Sequence, residues 1–305
     1  MPVTLPPEDE AALERSLEIL RPLDVTKAAK VLREAKQIFD EHGVTFFLRK
    51  GTCLGAVRDK RFIPWDDDLD VGSVIGIHGF TEKSVDKVAA TFREKGFLTK
   101  VEHQDFAITV RFLKSPIRGE WEVHKIIGNN TFHWPGVRIP ARLFTNLKEI
   151  DFIGEKFNVP NPPEEYLSFM YGPEWRVPKK AGFFEKDVIN QIPEDSLPGR
   201  AGKLKQFVVK HLFPWQATRI GVLDSEGNPV AGAEVVVAGL GHSVTNSQGY
   251  ARLQIPYSYI YSLVVRYADH EEVLYEEKLN PGTKYLYRAD PQTTAGRIFT
   301  LTPEN

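Results

Sequence analysis

This chain of 305 residues has one cysteine, a small net charge and no long apolar run. Its one cysteine, Cys53, excludes an intramolecular disulfide and suits a reducing compartment. The formal net charge of −2 gives no basic excess, so no nucleic-acid partner is indicated. No apolar stretch approaches the roughly 20 residues of a membrane-spanning helix, and the N-terminus lacks a signal peptide's basic segment and apolar run. We expect a cytoplasmic protein without a transmembrane segment, with peripheral membrane contact left open.

The first two thirds of the chain mix helical and strand patterns. Apolar spacing predicts helices over residues 26–42, 53–59 and 82–95, the last with Thr81 as N-cap, and a helix near 164–171. Strands are predicted at residues 44–49, from Leu69 onward, and at 97–101, 106–113 and 120–126. This mixture indicates an α/β (α+β) catalytic domain with a mixed sheet, which we assign to residues 1–215.

Beyond residue 215 the pattern changes to short strands without a helical period. Turns are predicted at Gly227-Asn-Pro and at Asn246-Ser-Gln-Gly. Their spacing is typical of Ig-like architecture, so residues 216–305 are predicted to form a small all-β sandwich. No acid or base cluster lies there. Stability, docking, glycan contact and oligomerisation are the roles open to this accessory domain.

The most informative stretch runs from Lys50 to Val71 and ends in four aspartates within five positions, Asp66, Asp67, Asp68 and Asp70. Carboxylates this close repel one another, and a divalent cation removes that cost. Mg²⁺ favours oxygen ligands, usually one or two carboxylates together with substrate phosphates. The stretch therefore predicts a metal-assisted phosphoryl-transfer site holding Mg²⁺, with Mn²⁺ as the alternative. A solvated acidic loop is the plainer interpretation, above all for Asp66 and Asp67.

Strand alternation selects the acids that could act together. Asp68 and Asp70 are two residues apart and share a face if the segment is extended. Glu122 is the third candidate, because Trp121 and Val123 on either side of it are expected to pack inward. We assign Asp68, Asp70 and Glu122 as catalytic and metal-binding residues. The remaining polar residues of that strand, Glu120 and His124, are expected to face water.

The donor phosphates need positive partners. A glycine turn that precedes a helix offers backbone N–H groups to phosphate, which points to Gly51 and Thr52. Arg58 and Lys50 could neutralise phosphate charge, with arginine the better bidentate partner. These four residues are the predicted donor phosphate-binding set.

Two blocks of this sequence resemble the LicD family, which includes phosphocholine transferases and the fukutin-related proteins. The first block is Gly51-Thr-Cys-Leu-Gly-Ala-Val-Arg58 followed by Phe62-Ile-Pro-Trp-Asp-Asp-Asp-Leu-Asp70. The second is Phe157-Asn-Val-Pro-Asn-Pro-Pro-Glu-Glu-Tyr-Leu167 followed by Tyr171-Gly-Pro-Glu-Trp-Arg-Val-Pro178. The C-terminal region is similar to carboxypeptidase-regulatory-like or transthyretin-like sandwich modules.

The LicD resemblance implies a nucleotidyltransferase-like fold and a defined reaction. A phosphate-linked group (phosphocholine, or ribitol or glycerol phosphate) would pass from a CDP-linked donor to a sugar hydroxyl of a glycan or lipid-linked saccharide, with release of CMP. The family's metal ligands map onto Asp68 and Asp70. Its third acid is usually an aspartate, and Glu122 is the nearest equivalent here. Two alternatives stay open: a nucleotidyltransferase that releases pyrophosphate, and a non-catalytic glycan-binding protein.

Overall fold

A computed structural model of the chain describes residues 7–18, 21–104, 106–179, 188–189, 192, 217–256, 258–292 and 297–304. The chain divides into two compact units. Unit 1 comprises Met1–Phe132 and Ile139–Met170, and unit 2 comprises His133–Arg138 and Tyr171–Asn305. The predicted domain boundary between residues 215 and 216 lies outside the described residues, so it stays a prediction.

Unit 1 is built on a mixed sheet of five strands. They are β1 (Phe47–Leu48), β2 (Leu69–Val74), β3 (Leu98–His103), β4 (Ala107–Lys114) and β5 (Ile117–His124). Their spatial order is β1-β2-β5-β4-β3. The pair β2 and β5 runs parallel, whereas the other neighbouring pairs run antiparallel. The predicted α/β domain with a mixed sheet is confirmed.

The α-helices that shape unit 1 are α1 (Pro7–Glu18), α2 (Val25–Glu41), α3 (Lys50–Leu54), α4 (Lys83–Glu94) and α5 (Pro163–Tyr171). The side chain of Asp24 caps α2 by accepting the N–H of Lys27 at 3.1 Å. The prediction of Thr81 as the cap of α4 is wrong, because its carbonyl closes a separate turn onto Ser84 and Glu82 takes the cap position. Among the described helices, none combines the length and hydropathy needed to span a bilayer.

An aromatic core fills one face of this sheet. The rings of Phe39 and Trp121 lie 4.9 Å apart in an edge-on arrangement, and Phe39 also contacts Phe92 of α4 at 5.6 Å. Phe92 in turn stacks on Phe112 of β4 at 5.2 Å. Because neighbouring residues of a strand face opposite ways, the inward packing of Trp121 and Val123, both fully buried as predicted, turns Glu122 to the other face.

Short elements lie between α3 and α5 in the chain. One turn of π-helix, Gly55–Asp59, continues α3, so the helix predicted over 53–59 begins three residues earlier than expected. Two small two-stranded sheets follow: β6 (Asn130–His133) with β7 (Val137–Pro140), and β8 (Lys148–Phe152) with β9 (Glu155–Val159). A 3₁₀ turn over Ala141–Phe144 lies between the two sheets in the chain.

Unit 2 carries the C-terminal β region. Its strands are β10 (Thr218–Leu223), β11 (Glu234–Val237), β12 (Gly241–Val244), β13 (Tyr250–Leu253), β14 (Tyr259–Tyr267), β15 (His270–Leu279), β16 (Lys284–Arg288), β17 (Arg297–Ile298) and β18 (Thr302–Pro303). One sheet has the order β13-β10-β16-β18 and the other β12-β11-β14-β15-β17. The predicted all-β region with several sheets is confirmed, and its Ig-like character stays a prediction.

One hydrophobic core is shared by the two sheets of unit 2. Ile220 of β10 and Tyr287 of β16 come from one sheet, and Val235 of β11 and Leu263 of β14 from the other; all four are fully buried. Both predicted turns form as well. Asp224 and Asn246 each accept two backbone N–H groups within their turns, and Gly227 and Gly249 supply the positive φ angles, +94° and +81°.

Candidate active site

The starts of α3 and β2 are tied together at the predicted site. The backbone N–H of Arg49 donates to the carbonyl of Asp70 at 3.1 Å, and the N–H of Asp70 donates to Oγ1 of Thr52 at 2.9 Å. Thr52 is fully buried, and Asp70 is 5% exposed. These bonds fix the first turn of α3 against the first residues of β2, so the acidic segment before β2 is held in place from its C-terminal end.

The first residue of α3 is held in a strained conformation. Lys50 has a φ of +39°, in the left-handed region that non-glycine residues rarely occupy. Its backbone N–H donates to the hydroxyl of Tyr166 at 3.1 Å, and Tyr166 is fully buried in α5. Local strain of this kind persists only where surrounding contacts impose it, and such positions cluster at functional sites.

A buried guanidinium lies on the polar face of the sheet. Arg49 has no exposed surface, and it contacts three carboxylates of β2 and β5. Its Nη1 lies 3.0 Å from Oε1 of Glu120 and 3.4 Å from Oδ1 of Asp70, while Nη2 pairs with Glu122. The register explains this convergence: Asp70 faces Glu120 across the parallel ladder, and Glu122 lies two residues further along.

Burial and these contacts shift the pKa values of the acids in different directions. Burial acts to raise the pKa of Glu120, but the charges of Lys50, Arg49 and Arg111 lower it to about 2. Burial and the neighbouring charge of Asp68 raise the pKa of Asp70 to about 8. Burial likewise raises the pKa of Glu122 despite the nearby guanidinium. The fully buried His124 has a pKa well below its usual range because burial disfavours its charged form.

The prediction that His124 faces water is wrong, and Glu120 is only partly exposed. Arg49 lies on this face of the strand, where solvent was expected, and contacts Glu120. Glu120 is bound by cations, and its carboxylate keeps about 20% of its surface exposed. His124 is fully buried, with Nδ1 3.0 Å from the carbonyl of Phe132 and 3.8 Å from Oε1 of Glu122.

The acidic segment before β2 brings three carboxylates together. Asp66, Asp67 and Asp68 each offer an oxygen within 4.8 Å of the others, and all three are partly exposed. Arg118 of β5 pairs with Asp67, and its Nη2 lies 3.9 Å from Oδ2 of Asp68. Burial and three neighbouring aspartates raise the pKa of Asp66 well above its usual range.

Asp66 is packed against the first turn of α3. A Cβ atom placed on Gly51 would lie 2.5 Å from Oδ2 of Asp66, so only glycine leaves room for this carboxylate. Among the residues that the structure describes, the buried Oδ2 of Asp66 has no hydrogen-bond partner. A buried carboxylate oxygen without a donor is costly unless something else satisfies it.

The donor set fits a hard divalent cation. Such ions take carboxylate oxygens, and the segment offers several at close range, one of them an orphaned oxygen. The three predicted metal ligands have different surroundings. Asp68 lies in the partly exposed acidic segment. Asp70 contacts both Arg49 and Lys50, and Glu122 pairs with Arg49.

The predicted phosphate-binding residues occupy two kinds of position. Nζ of Lys50 lies 3.9 Å from Asp70 and 3.8 Å from Glu120, and Gly51 adjoins the acidic segment. The hydroxyl of Thr52 accepts a backbone N–H of β2. Arg58 forms two hydrogen bonds with its neighbour Asp59, at 2.7 and 2.8 Å. Lys50 and Gly51 are therefore placed beside the acids, whereas Thr52 and Arg58 are held by protein partners.

The sequence pattern did not predict the role of Arg49, although a charged residue between an apolar strand and a glycine turn is a usable signal. Tyr166 belongs to the second LicD-like block, which could help to shape the site, but its contact with Lys50 was not predicted. Tyr166 lies 116 residues from Lys50, and local spacing gives no sign of their contact.

With the site described, the chain can be compared with known proteins. Residues 43–162 match the LicD/FKTN/FKRP nucleotidyltransferase domain. This segment is similar to the domains of the LicD family. It contains the acidic segment, the glycine turn and the five-stranded sheet, and it ends before unit 2's C-terminal β region. The sandwich resemblance predicted for that region stays a prediction.

Several curated proteins are similar to part of this chain. The ribitol-5-phosphate transferase FKTN of Macaca fascicularis is 25% identical over 183 residues, and the human FKTN is 24% identical over the same length. Both alignments cover 56% of this chain and 38% of the relative, so the chain spans well under half of those proteins. The lipopolysaccharide cholinephosphotransferase LicD of Haemophilus influenzae is 50% identical over 32 residues, 10% of this chain and 12% of that protein.

Proposed function

We propose that the chain is a metal-dependent transferase that moves a phosphate-linked group from a CDP-linked donor to a sugar hydroxyl of a glycan or lipid-linked saccharide and releases CMP. The observation that supports this proposal is the cluster of three carboxylates before β2, Asp66, Asp67 and Asp68. The cluster lies in the segment that matches the LicD/FKTN/FKRP nucleotidyltransferase domain. The activities named for the similar proteins, ribitol-5-phosphate transfer and cholinephosphate transfer, belong to this reaction class.

Asp68 and Asp70 are the proposed ligands of Mg²⁺, with Mn²⁺ as the alternative. The third ligand has two candidates. The sequence pattern points to Glu122, and the position of Asp66 beside Asp68 points to Asp66. When bound, a divalent ion would neutralise charge on the donor diphosphate and on the attacking and leaving oxygens. Lys50 and Gly51, beside the acids, are the proposed contacts for phosphate oxygens, with Thr52 and Arg58 in supporting positions.

The acceptor hydroxyl needs a base. Glu122 and Asp70 are the two carboxylates considered for this role, and Asp70 suits it better. Glu122 is bound to Arg49 and has 2% of its surface exposed, which leaves little room for a substrate.

The direct test is transfer by the purified full chain. It would be incubated with Mg²⁺ and CDP-ribitol, CDP-choline or CDP-glycerol, together with candidate glycans. We expect CMP release coupled to a mass increase of the glycan, and loss of both in chelator. The double variant Asp68→Asn, Asp70→Asn should lack transfer, and Asp86→Asn, an exposed acid of α4, is the matched control. Undiminished transfer by the double variant would reject the site.

The same assay separates the alternatives. A nucleotidyltransferase would attack the α-phosphorus of a nucleoside triphosphate and release pyrophosphate, so pyrophosphate from CTP would favour that reaction. Binding of a CDP-linked compound or glycan without turnover would favour the non-catalytic binding protein. The described C-terminal β region is proposed as an accessory module, and its removal should change acceptor use or stability and leave the chemical step intact.

A further inference from the structure

The described charges of the site fall into two groups with different compensation. Asp70, Glu120 and Glu122 lie around the guanidinium of Arg49, and Lys50 approaches two of them. Asp66, Asp67 and Asp68 lie before β2, where Arg118 pairs with Asp67 and approaches Asp68. Arg111 also approaches Glu120, its Nε 3.7 Å from Oε2, so three cations contact the first three carboxylates. The described ion pairs of the site are thus concentrated on the Arg49 side.

Arg49 compensates the negative charge of the first group, as a metal ion would. It is fully buried, it contacts one oxygen of each carboxylate, and it is permanently charged. A divalent ion on the same oxygens would sit within a few ångströms of the guanidinium. Like charges at this separation repel one another strongly, and a doubly charged ion is repelled more strongly than a singly charged one.

In the second group, Asp66, Asp67 and Asp68, one buried carboxylate oxygen has no such cation beside it among the described residues. Oδ2 of Asp66 is buried and without a hydrogen-bond donor among the described residues, and it points at the first turn of α3, 2.5 Å from where a Cβ on Gly51 would lie. Asp66 and Asp68 each offer an oxygen within 4.8 Å of the other. An ion held by Asp66 and Asp68 would lie on carboxylates that are not among those contacted by Arg49.

We infer that Arg49 is a fixed internal cation in the place of a second metal ion, so that the site binds one divalent ion, on the Asp66–Asp68 side of Asp70. Glu122 is then a positioning residue that holds Arg49 and is not a metal ligand. This inference rests on the proposed function for the presence of a metal. The inference goes beyond the proposed function because it specifies the number of bound ions and the role of Glu122.

Metal binding to the full chain, without donor or acceptor, tests the inference directly. Mn²⁺ alone is titrated into chelator-treated protein and followed by calorimetry and by the electron paramagnetic resonance signal of the free ion. We expect one Mn²⁺ per chain. Asp68→Asn should weaken binding by more than the roughly 10–100-fold typical of losing an outer partner, whereas Glu122→Gln should weaken it by less than about tenfold.

Arg49 variants supply a readout that a purely structural role would not move. Arg49→Lys keeps the charge and should keep the count at one ion. Arg49→Gln removes it, leaves three carboxylates without their guanidinium, and should admit a second Mn²⁺. Thermal unfolding monitors whether each variant folds. If Arg49→Gln does not fold, the comparison of Glu122→Gln with Asp68→Asn decides alone, because both substitutions replace one carboxylate by an amide of the same shape.

The outcomes separate this inference from the proposed function. Two ions bound to the unaltered chain, or a loss of affinity in folded Glu122→Gln as large as that in Asp68→Asn, would overturn the inference and leave metal-dependent transfer standing. One ion with the expected pattern, but no transfer from any CDP-linked donor, would support the inference and count against the reaction. Absence of bound Mn²⁺ and Mg²⁺ would overturn both.

Discussion

Arg49 and Asp70 are joined twice, once through the main chain and once through their side chains. The N–H of Arg49 donates to the carbonyl of Asp70 at 3.1 Å, and Nη1 lies 3.4 Å from Oδ1. The first contact lies one residue beyond the pairing of β1 with β2, and the second belongs to the acidic site. The same residue therefore fixes strand position and carboxylate charge, which links the stability of the sheet to the chemistry of the site.

Removing the guanidinium should destabilise the protein strongly. Arg49→Met leaves buried carboxylates uncompensated, and breaking a buried pair in this way costs about 3–5 kcal/mol of unfolding free energy. Urea denaturation measures the change. The control is Arg142→Met, whose partner Glu165 accepts from it at 3.1 Å on the surface, where the side chain of Arg142 is 61% exposed. That loss should be at most about 1 kcal/mol. Equal effects of the two variants would contradict the importance of the buried cation.

The metal-free protein should lose stability as the pH rises. The folded-state pKa of Asp70 is about 8, against 3.8 for the free residue, so the folded protein holds a proton that the unfolded chain releases. Stability should therefore fall between about pH 4 and about pH 8, by at most roughly 1.4 kcal/mol per pH unit for one proton. The raised pKa values of Asp66 and Glu122 act in the same direction. Two groups act in the opposite direction: Glu120 below its free pKa of 4.5, and His124, whose pKa is lowered by burial, below its free pKa of 6.5.

Thermal unfolding in chelator measures this dependence. Asp70→Asn should flatten it, because the variant has no proton to release at this position. Added Mg²⁺ should raise the unfolding temperature more at about pH 8 than at about pH 6, since the ion competes with protons for carboxylate oxygens. A stability that rises steadily over this range in the metal-free protein would contradict the prediction.

Gly51→Ala should impair metal binding while leaving most of the stability intact. The added Cβ would lie 2.5 Å from Oδ2 of Asp66 and 2.8 Å from Oδ1, so the carboxylate must move away. We expect weaker Mn²⁺ binding by calorimetry and little change in the urea midpoint. In an Asp66→Ala background the same substitution should have no additional effect on affinity. An effect that persists in this background would indicate that the alanine acts through another contact.

Glu277→Gln should destabilise unit 2 by loosening its C-terminal segment. The carboxylate of Glu277 is 1% exposed and accepts the N–H groups of Thr300 at 2.6 Å and Leu301 at 2.9 Å. Hydrogen bonds to a charged group are each worth about 1.5–3 kcal/mol, and an amide can keep only part of this. Urea denaturation and hydrogen exchange at Thr300 measure the loss. Glu271→Gln, on the surface of the same strand, is the control and should change stability little.

Local patterns predicted much of the fold because each depends on near neighbours. The helical spacing before Gly43 predicted α2 almost to the residue, and strand alternation at Trp121 and Val123 predicted their burial. The cap of α4 was missed, because Thr81 uses its carbonyl in a preceding turn. Such a choice between competing local hydrogen bonds is not visible in the order of residues.

The acidic segment was also recognisable in the sequence, but its partners were not. Four aspartates in five positions indicated a cation site without reference to the fold. The roles of Arg49, Glu120 and Glu122 depend on β2 and β5 lying side by side in a particular register. Glu122 is 73 residues from Arg49 in the chain, and only the sheet brings their charges together.

The sequence by itself determined which residue types could carry chemistry, since a run of carboxylates and a glycine turn express their electrostatic and conformational preferences locally. Only the tertiary structure decided how their charges are balanced. It buries one guanidinium among three acids and leaves Oδ2 of Asp66 without a donor among the described residues. The reason is physical: burial and charge–charge distance set the energy of an ionised group, and both are properties of packed elements distant in the chain.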